Sequence, residues 1–310
     1  MAISAKDVAA LRTKTGCGMM ECKKALTETN GDFDAAIKYL REKGLSVAAK
    51  KADRIASEGI VDIMLSDDGK TAAIIEVNSE TDFVAKNESF KAFVKDILKT
   101  ILANKPANVE ALLALPLVGS DMTVEAALKD KIFTIGENMS VRRFEIVEGT
   151  VSTYIHGLGS IGVIIGFDAE DCAVKNAGFA EFAKNIALQV AAYQTPYVDR
   201  NSVPASVIAE EKEVLMQQIK NDPKSANKPA QVIEKMIEGR IGKFYEQNCL
   251  LDMGYVKEDN MKVSQYIANC AKEFGGAIAI KTVVRFEKGE GLQKKEDNFA
   301  DEIAQLVNGK

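Results

Sequence analysis

Few residues of this chain could do chemistry unaided, and most of those read as structure. Gly157-Leu158-Gly159-Ser160-Ile161-Gly162 spells Gly-x-Gly-x-x-Gly, the pattern that lets a dinucleotide pyrophosphate approach a backbone at a helix N terminus. That chemistry needs a strand, a turn and then a helix. Here Val151 to Ile155 precede the glycines and Val163-Ile164-Ile165 follow them, so the run predicts a β-hairpin turn. A nicotinamide-dependent oxidoreductase would rest on these glycines alone. No Gly-x-x-x-x-Gly-Lys-[Ser/Thr] occurs, so the chain has no recognisable phosphate cradle. His156 is the one histidine, and no serine or cysteine constellation points to it. It is expected at a hairpin end, making a surface or interface hydrogen bond. Cys17, Cys22, Cys172, Cys249 and Cys270 contain no Cys-x-x-Cys and offer no zinc ligand set. No catalytic residue, metal site or cofactor is expected, and the chain reads as something other than an enzyme.

Asn78 to Asn87 is more informative. Before it runs Ala72-Ala73-Ile74-Ile75-Glu76-Val77, short and β-branched, the pattern of a buried strand. After it, Phe90, Phe93, Val94, Ile97, Leu98 and Ile101 share one helical face. The ten residues between predict a polar strand-to-helix loop with Phe83 in its middle. Such a phenylalanine is either tucked into the core or offered to a partner. An internal repeat bears on the choice. Glu58-Gly59-Ile60-Val61 returns ninety residues later as Glu148-Gly149-Thr150-Val151. The strand Ala72 to Val77 returns as Gly162 to Phe167, and the helix beginning at Phe90 returns at Phe179. Asp82 to Asn87 aligns with Asp171 to Asn176, which puts Cys172 opposite Phe83. A shared scaffold would need a comparable side chain in both copies, so the difference favours a task special to the first.

Several motifs together resemble the elongation factor Ts family, which exchanges guanine nucleotide on elongation factor Tu. Thr81-Asp82-Phe83-Val84-Ala85-Lys86-Asn87 is similar to one signature, and Thr15-Gly16-Cys17-Gly18-Met19-Met20-Glu21-Cys22-Lys23-Lys24-Ala25-Leu26 to the other. Ile135-Gly136-Glu137-Asn138, Arg142-Arg143 and Arg285-Phe286-Glu287-Lys288-Gly289-Glu290-Gly291 are similar as well, so the resemblance covers essentially the whole chain. It implies that elongation factor Tu is the partner. Thr81, Asp82, Phe83 and Val84 would then enter beside Tu's Mg²⁺ and phosphates. Arg12, Met19, Met20 and Lys23 would meet its GTP-binding domain, with His156 a contact of the second core half. Met19 and Met20 are adjacent on a helix, about 100° apart, so one is expected to pack and one to be exposed. A 2:2 complex through a helical arm is expected too.

Bulk properties bound the alternatives. The 310 residues are 46% hydrophobic, enough for two or three packed units. A net charge of −5 argues against direct nucleic-acid binding. An odd, scattered cysteine count suits a reducing compartment. The charged first twenty residues exclude a secretory signal, and no apolar run approaches the roughly 20 residues of a spanning helix. A cytoplasmic location without membrane contact is expected.

The elements that must position these residues follow from periodicity. Residues 4 to 43 predict three short helices, capped by Ser4 and Asp32 and closed by Gly44, with Lys43 to Lys51 as a linker. They are similar to a ubiquitin-associated domain, but an adaptor of that type leaves the duplicated core unexplained. The predicted class is α+β: a three-helix domain at 1–56, core subdomains at 57–146 and 147–190, and a helical hairpin (coiled-coil) arm at 191–240. The second subdomain is completed at 241–287, and a C-terminal helical module follows at 288–310. In the arm, Ile208, Leu215, Ile233, Ile237 and Phe244 exceed what two helices can bury alone. Phe299, Ile303, Leu306 and Val307 mark the tail helix.

Overall fold

A computed structural model describes residues 3–222 and 228–293. Three helices open the chain: α1 (Ala5–Thr15), α2 (Met19–Glu28) and α3 (Phe33–Lys51). Ser4 starts α1 through a capping box with Asp7, and the Asp32 carboxylate accepts from the Asp34 and Ala35 amides to start α3. Val8, Leu11, Cys22, Ala25, Leu26, Ala36 and Leu40 close the bundle. The stop expected at Gly44 and the linker expected from Lys43 are both corrected, because α3 continues to Lys51. Gly44 is a contact glycine. A Cβ there would stand 3.4 Å from the Phe133 side chain, so its bareness lets α3 lie close against the helix carrying Phe133.

The first core half is β1 (Glu58–Leu65), β2 (Thr71–Ser79), α4 (Asp82–Lys86), α5 (Glu88–Asn104), α6 (Val109–Ala114), α7 (Val124–Ile135) and β3 (Met139–Glu148). Its antiparallel sheet has the order β1-β2-β3. The second half begins with β4 (Thr150–His156), β5 (Ile161–Ala169), α8 (Asp171–Val174) and α9 (Phe179–Ala192). The arm helices α10 (Ala205–Asn221) and α11 (Ala230–Asn248) intervene. Then α12 (Val263–Phe274) and β6 (Ile278–Glu287) complete the antiparallel sheet β4-β5-β6. This is the α+β architecture the sequence predicts. The repeat is visible in the backbone: pairing shifts between Glu76 and Val77 in β2, and ninety residues later between Gly166 and Phe167 in β5.

The two sheets meet face to face through Val61, Ala72, Ile74 and Val147 on one side and Ile164 and Phe286 on the other. A Cβ at Gly162 would stand 2.5 Å from Val61 Cγ1, so the third glycine of the Gly-x-Gly-x-x-Gly run serves sheet contact. Helices cover the outer faces: α5 and α7 pack on the first sheet, α9 and α12 on the second. Strand β2 is therefore buried on both faces. Alternation sends Ala73, Ile75 and Val77 toward α5, and Ala72, Ile74 and Glu76 between the sheets.

The arm closes a small core of its own from Leu215, Ile219, Ile237 and Ile241, with Ile233 against it. Ile208 and Phe244 are half-buried, while Val214, Met216 and Val232 stay exposed. Helix α11 runs unbroken past residue 240, so the division expected there falls inside one helix; that at 146/147 falls inside β3. The tail helix expected around Phe299 to Val307 lies outside the described residues.

Candidate functional site

The segment after β2 is shorter and more ordered than the ten-residue loop expected. Strand β2 runs to Ser79, and Asp82–Lys86 forms the single-turn helix α4. Its inward side is apolar: Val84 and Ala85 are buried in the first-half core. One turn of helix that buries the third and fourth residues turns the second outward. Phe83 is accordingly 79% exposed. Val84 thus anchors the turn and presents little surface beside the exposed Phe83.

Neighbouring elements hold both ends of this turn. The Thr81 amide and hydroxyl donate to the two Glu137 oxygens at 3.0 and 2.8 Å. The Glu80 carboxylate accepts from the Asn138 amide at 2.6 Å. The Asn138 side chain in turn donates to the Ala52 and Arg54 carbonyls at 3.2 and 2.8 Å. At the far end, Asn87 caps α5 by accepting from the Ser89 and Phe90 amides at 2.8 and 3.3 Å. Asp82 pairs with Lys86 at 2.5 Å, and the Lys86 ammonium lies 6.0 Å from the Phe83 ring centre. The Lys86 hydrogen bond holds the Asp82 carboxyl below its ordinary range, with a smaller contribution from the Lys288 charge. Asp82 is thus an exposed anion beside an exposed aromatic ring.

The N-terminal patch stands on the same support. Phe133 packs under α3, a Cβ at Gly16 would meet Thr134 at 3.2 Å, and the Lys51 ammonium donates to the Gly136 carbonyl. The C-terminal end of α7 therefore carries the bundle on one side and the Thr81 turn on the other. Arg12, Met19, Met20 and Lys23 are all exposed. Met19 is 50% and Met20 72% exposed, so the expectation that one of them packs is corrected. Leu11, Cys17 and Cys22, all buried, already fill the bundle at that level.

His156 ends β4 and is exposed, with its Nδ1 3.1 Å from the Tyr154 hydroxyl. The turn after it is tied to the first half: the Val61 amide donates to the Gly159 carbonyl at 2.8 Å, and the Lys288 amide to the Ser160 carbonyl at 2.8 Å.

Arg142-Arg143 and the run from Arg285 to Gly291, two motifs far apart in the sequence, meet at one buried carboxylate. Arg142, Arg143 and Gly289 converge on Glu76, whose side chain is fully buried between the sheets. Arg142 reaches its two oxygens at 2.9 and 3.2 Å and Arg143 reaches one at 2.7 Å. The Gly289 amide donates at 2.8 Å and Asn78 at 3.1 Å. Burial pushes the Glu76 pKa up, but hydrogen bonds from Gly289, Asn78 and the two arginines outweigh it, so the net shift is downward. A lone carboxylate inside the apolar run Ala72 to Val77 was the signal for this junction.

A sequence profile for the family described as Elongation factor TS matches residues 80–290. A protein named Elongation factor Ts from Syntrophotalea carbinolica (strain DSM 2380 / NBRC 103641 / GraBd1) is 42% identical over 310 residues, covering 99% of this chain and all of the relative. Another of that name, from Clostridioides difficile (strain 630), is 46% identical over 307 residues, covering 98% of this chain and 99% of the relative.

Proposed function

The chain belongs to the elongation factor Ts family, and we infer from this that it is the guanine-nucleotide exchange factor of elongation factor Tu in translation elongation. Its action is a linkage between two ligands of Tu. The factor binds nucleotide-free Tu more tightly than Tu with GDP, so it weakens GDP binding by the same factor. The observation that carries this reading to particular residues is Phe83, solvated on a turn that Glu137 and Asn138 hold in place. Asp82 and Phe83 enter Tu near its Mg²⁺ and phosphates, and the ring parts the side chains that support the ion. With Mg²⁺ loosened, the diphosphate charge is less compensated and GDP leaves faster. Thr81 and Val84 fix the turn. Arg12, Met19, Met20, Lys23 and His156 add contacts on its flanks, where the soft methionines adapt to an apolar helix surface. The factor makes and breaks no covalent bond and needs no cofactor. It works on Tu in the cytoplasm without touching nucleic acid or membrane; no described helix is long and apolar enough to cross one.

Stopped-flow release of a fluorescent GDP analogue from Tu tests the reading. The chain should accelerate release, and saturating Mg²⁺-GDP should dissociate its complex with nucleotide-free Tu. A complex indifferent to GDP would end the linkage account. The exposed Val214, Met216 and Val232 of the arm support a 2:2 assembly. Deleting residues 200–235 should then halve the mass of the complex in light scattering, and an unchanged mass would remove that role.

A further inference from the structure

We propose that Leu158, at the tip of the β4–β5 hairpin, is a further apolar contact with elongation factor Tu, beside Phe83, Met19 and Met20; this rests on the exchange-factor reading above. Among the described large apolar side chains Leu158 is the most exposed, at 98%, followed by Phe83 and Met20. A single exposed leucine is ordinary. The backbone supplies an independent observation. Leu158 has φ +56°, in the left-handed region where Cβ crowds the following carbonyl and glycine or asparagine is the usual occupant. Gly157 and Gly159, on either side, have φ +59° and +97°. The middle of three left-handed residues thus carries a four-carbon apolar side chain. Among the described residues none covers this side chain.

The tip also stands on a fixed base. The Ser160 hydroxyl donates to the Gly157 carbonyl at 2.6 Å. A Cβ at Gly159 would stand 3.0 Å from the Val61 carbonyl oxygen, so the turn lies directly on β1. Lys288, bonded to Ser160, pairs with Glu58. Glu58 faces Ser79 in the sheet register, at the end of β2 that leads into Thr81-Asp82-Phe83. From Val61 back to Glu58 is three residues, about 10 Å of strand. The hairpin tip and the Phe83 turn are therefore two rigid apolar points carried by one end of the first sheet. Strain kept at an exposed site on a rigid base points to compensation by something that binds there. The partner that meets Phe83 is placed to supply it by covering the leucine.

The test compares the full chain with Leu158→Asn and Leu158→Met, measuring thermal melts and affinity for nucleotide-free Tu. Asparagine accepts the left-handed conformation but removes the apolar surface. Its melting temperature should stay level or rise by about 1–2 °C. Its Kd for Tu should weaken about tenfold, the order expected for losing much of a leucine's burial. Methionine keeps apolar reach and should bind within about twofold of the parent chain. Leu158→Asn binding as tightly as the parent would overturn the proposal. So would a loss of affinity matched by a lowered melting temperature, since the leucine would then serve only the hairpin. A parent chain that fails to release GDP from Tu would remove the exchange reading and this contact together. An active parent with an equally active Leu158→Asn removes the contact alone.

Discussion

In the first half of the core, α4 carries Asp82 and Lys86 as an ion pair at 2.5 Å, with Phe83 after the aspartate. In the second half, Asp171 opens α8 and pairs at 3.0 Å with Lys175 just past the helix end, with Cys172 in that place. Both turns leave a strand that shifts register at the same point, and both bury the residue after the Phe83 or Cys172 position, Val84 in the first and Ala173 in the second. The turn therefore needs the ion pair and the inward anchor, not the phenylalanine. Cys172 is tied back to the scaffold, its Sγ 3.3 Å from the Gly275 carbonyl oxygen. Phe83 has its ring in solvent. A second contrast lies one strand earlier. At the register shift the first half has buried Glu76 and the second has Gly166. Only the first half thus invests a buried charge, and that charge ties the segment after β6 to the strand that ends at the Phe83 turn.

The largest effect should come from this charge. Glu76→Gln keeps the shape but leaves Arg142 and Arg143 without their anion. Breaking a buried pair from one side costs about 3–5 kcal/mol, and the two partly exposed arginines put this site at the lower end. The pH dependence fixes the cause. The folded pKa of Glu76 lies below its ordinary value of 4.5. Its stabilisation is therefore fully present above that ordinary value and is lost as pH falls through the folded one. Denaturant melts should show a large gap between Glu76→Gln and the parent chain at pH 7, narrowing below pH 4.5. A gap constant with pH would assign the loss to packing. Gly166→Ala, the matching site, gains no charge. Its Cβ would meet Val147 at 3.1 Å and Thr282 at 3.3 Å, so it should shift the melt modestly and with no acid dependence.

Next in size is the contrast at the turn itself. Phe83→Ala should change stability by no more than about 0.5 kcal/mol, the range of a surface substitution. A core phenylalanine would cost about 3–5 kcal/mol. Stimulated GDP release should fall about tenfold or more, within the usual span of allosteric coupling. Cys172→Ala should leave release nearly unchanged. A Phe83→Ala variant that melts early yet exchanges normally per folded molecule would cancel the functional side of the comparison.

Much of this was legible because periodicity and repetition report on backbone and core. The β2 run, the α5 face and the ninety-residue offset gave the α+β halves, and the missing counterpart of Phe83 singled out its turn. What stayed hidden depends on who the neighbour is. Gly44 reads as a helix stop until Phe133 lies against it. Met19 and Met20 read as one buried and one exposed until Leu11 and Cys17 are seen to fill the bundle. Glu76 reads as an irregularity in an apolar strand until Gly289, more than two hundred residues away, donates to it. Leu158 carries no signal in the sequence, because a left-handed φ leaves no trace in a side chain that does not favour it.

The smallest effect sharpens the comparison most. Lys86 and Lys175 occupy the same place in the two turns, each in an exposed i,i+4 pair with its aspartate. Exposed pairs of this kind are screened by salt and add little to folding, so Lys86→Met and Lys175→Met should both melt with the parent chain. They should differ in exchange. The Lys86 ammonium lies near the Phe83 ring and pairs with the Asp82 carboxylate, so it restricts both groups offered to the partner. Removing it frees the ring to sample other rotamers before docking, a loss of preorganisation that should slow stimulated GDP release about twofold. Lys175→Met has no ring to restrict and should release GDP at the parent rate. Paired stopped-flow traces at low and high salt separate the contributions. A defect of Lys86→Met that disappears at high salt, where the parent's own ion pair is screened, belongs to the Asp82 pairing; one that persists belongs to the ring. Equal rates for both variants would mean that the two turns differ by their aromatic side chain alone.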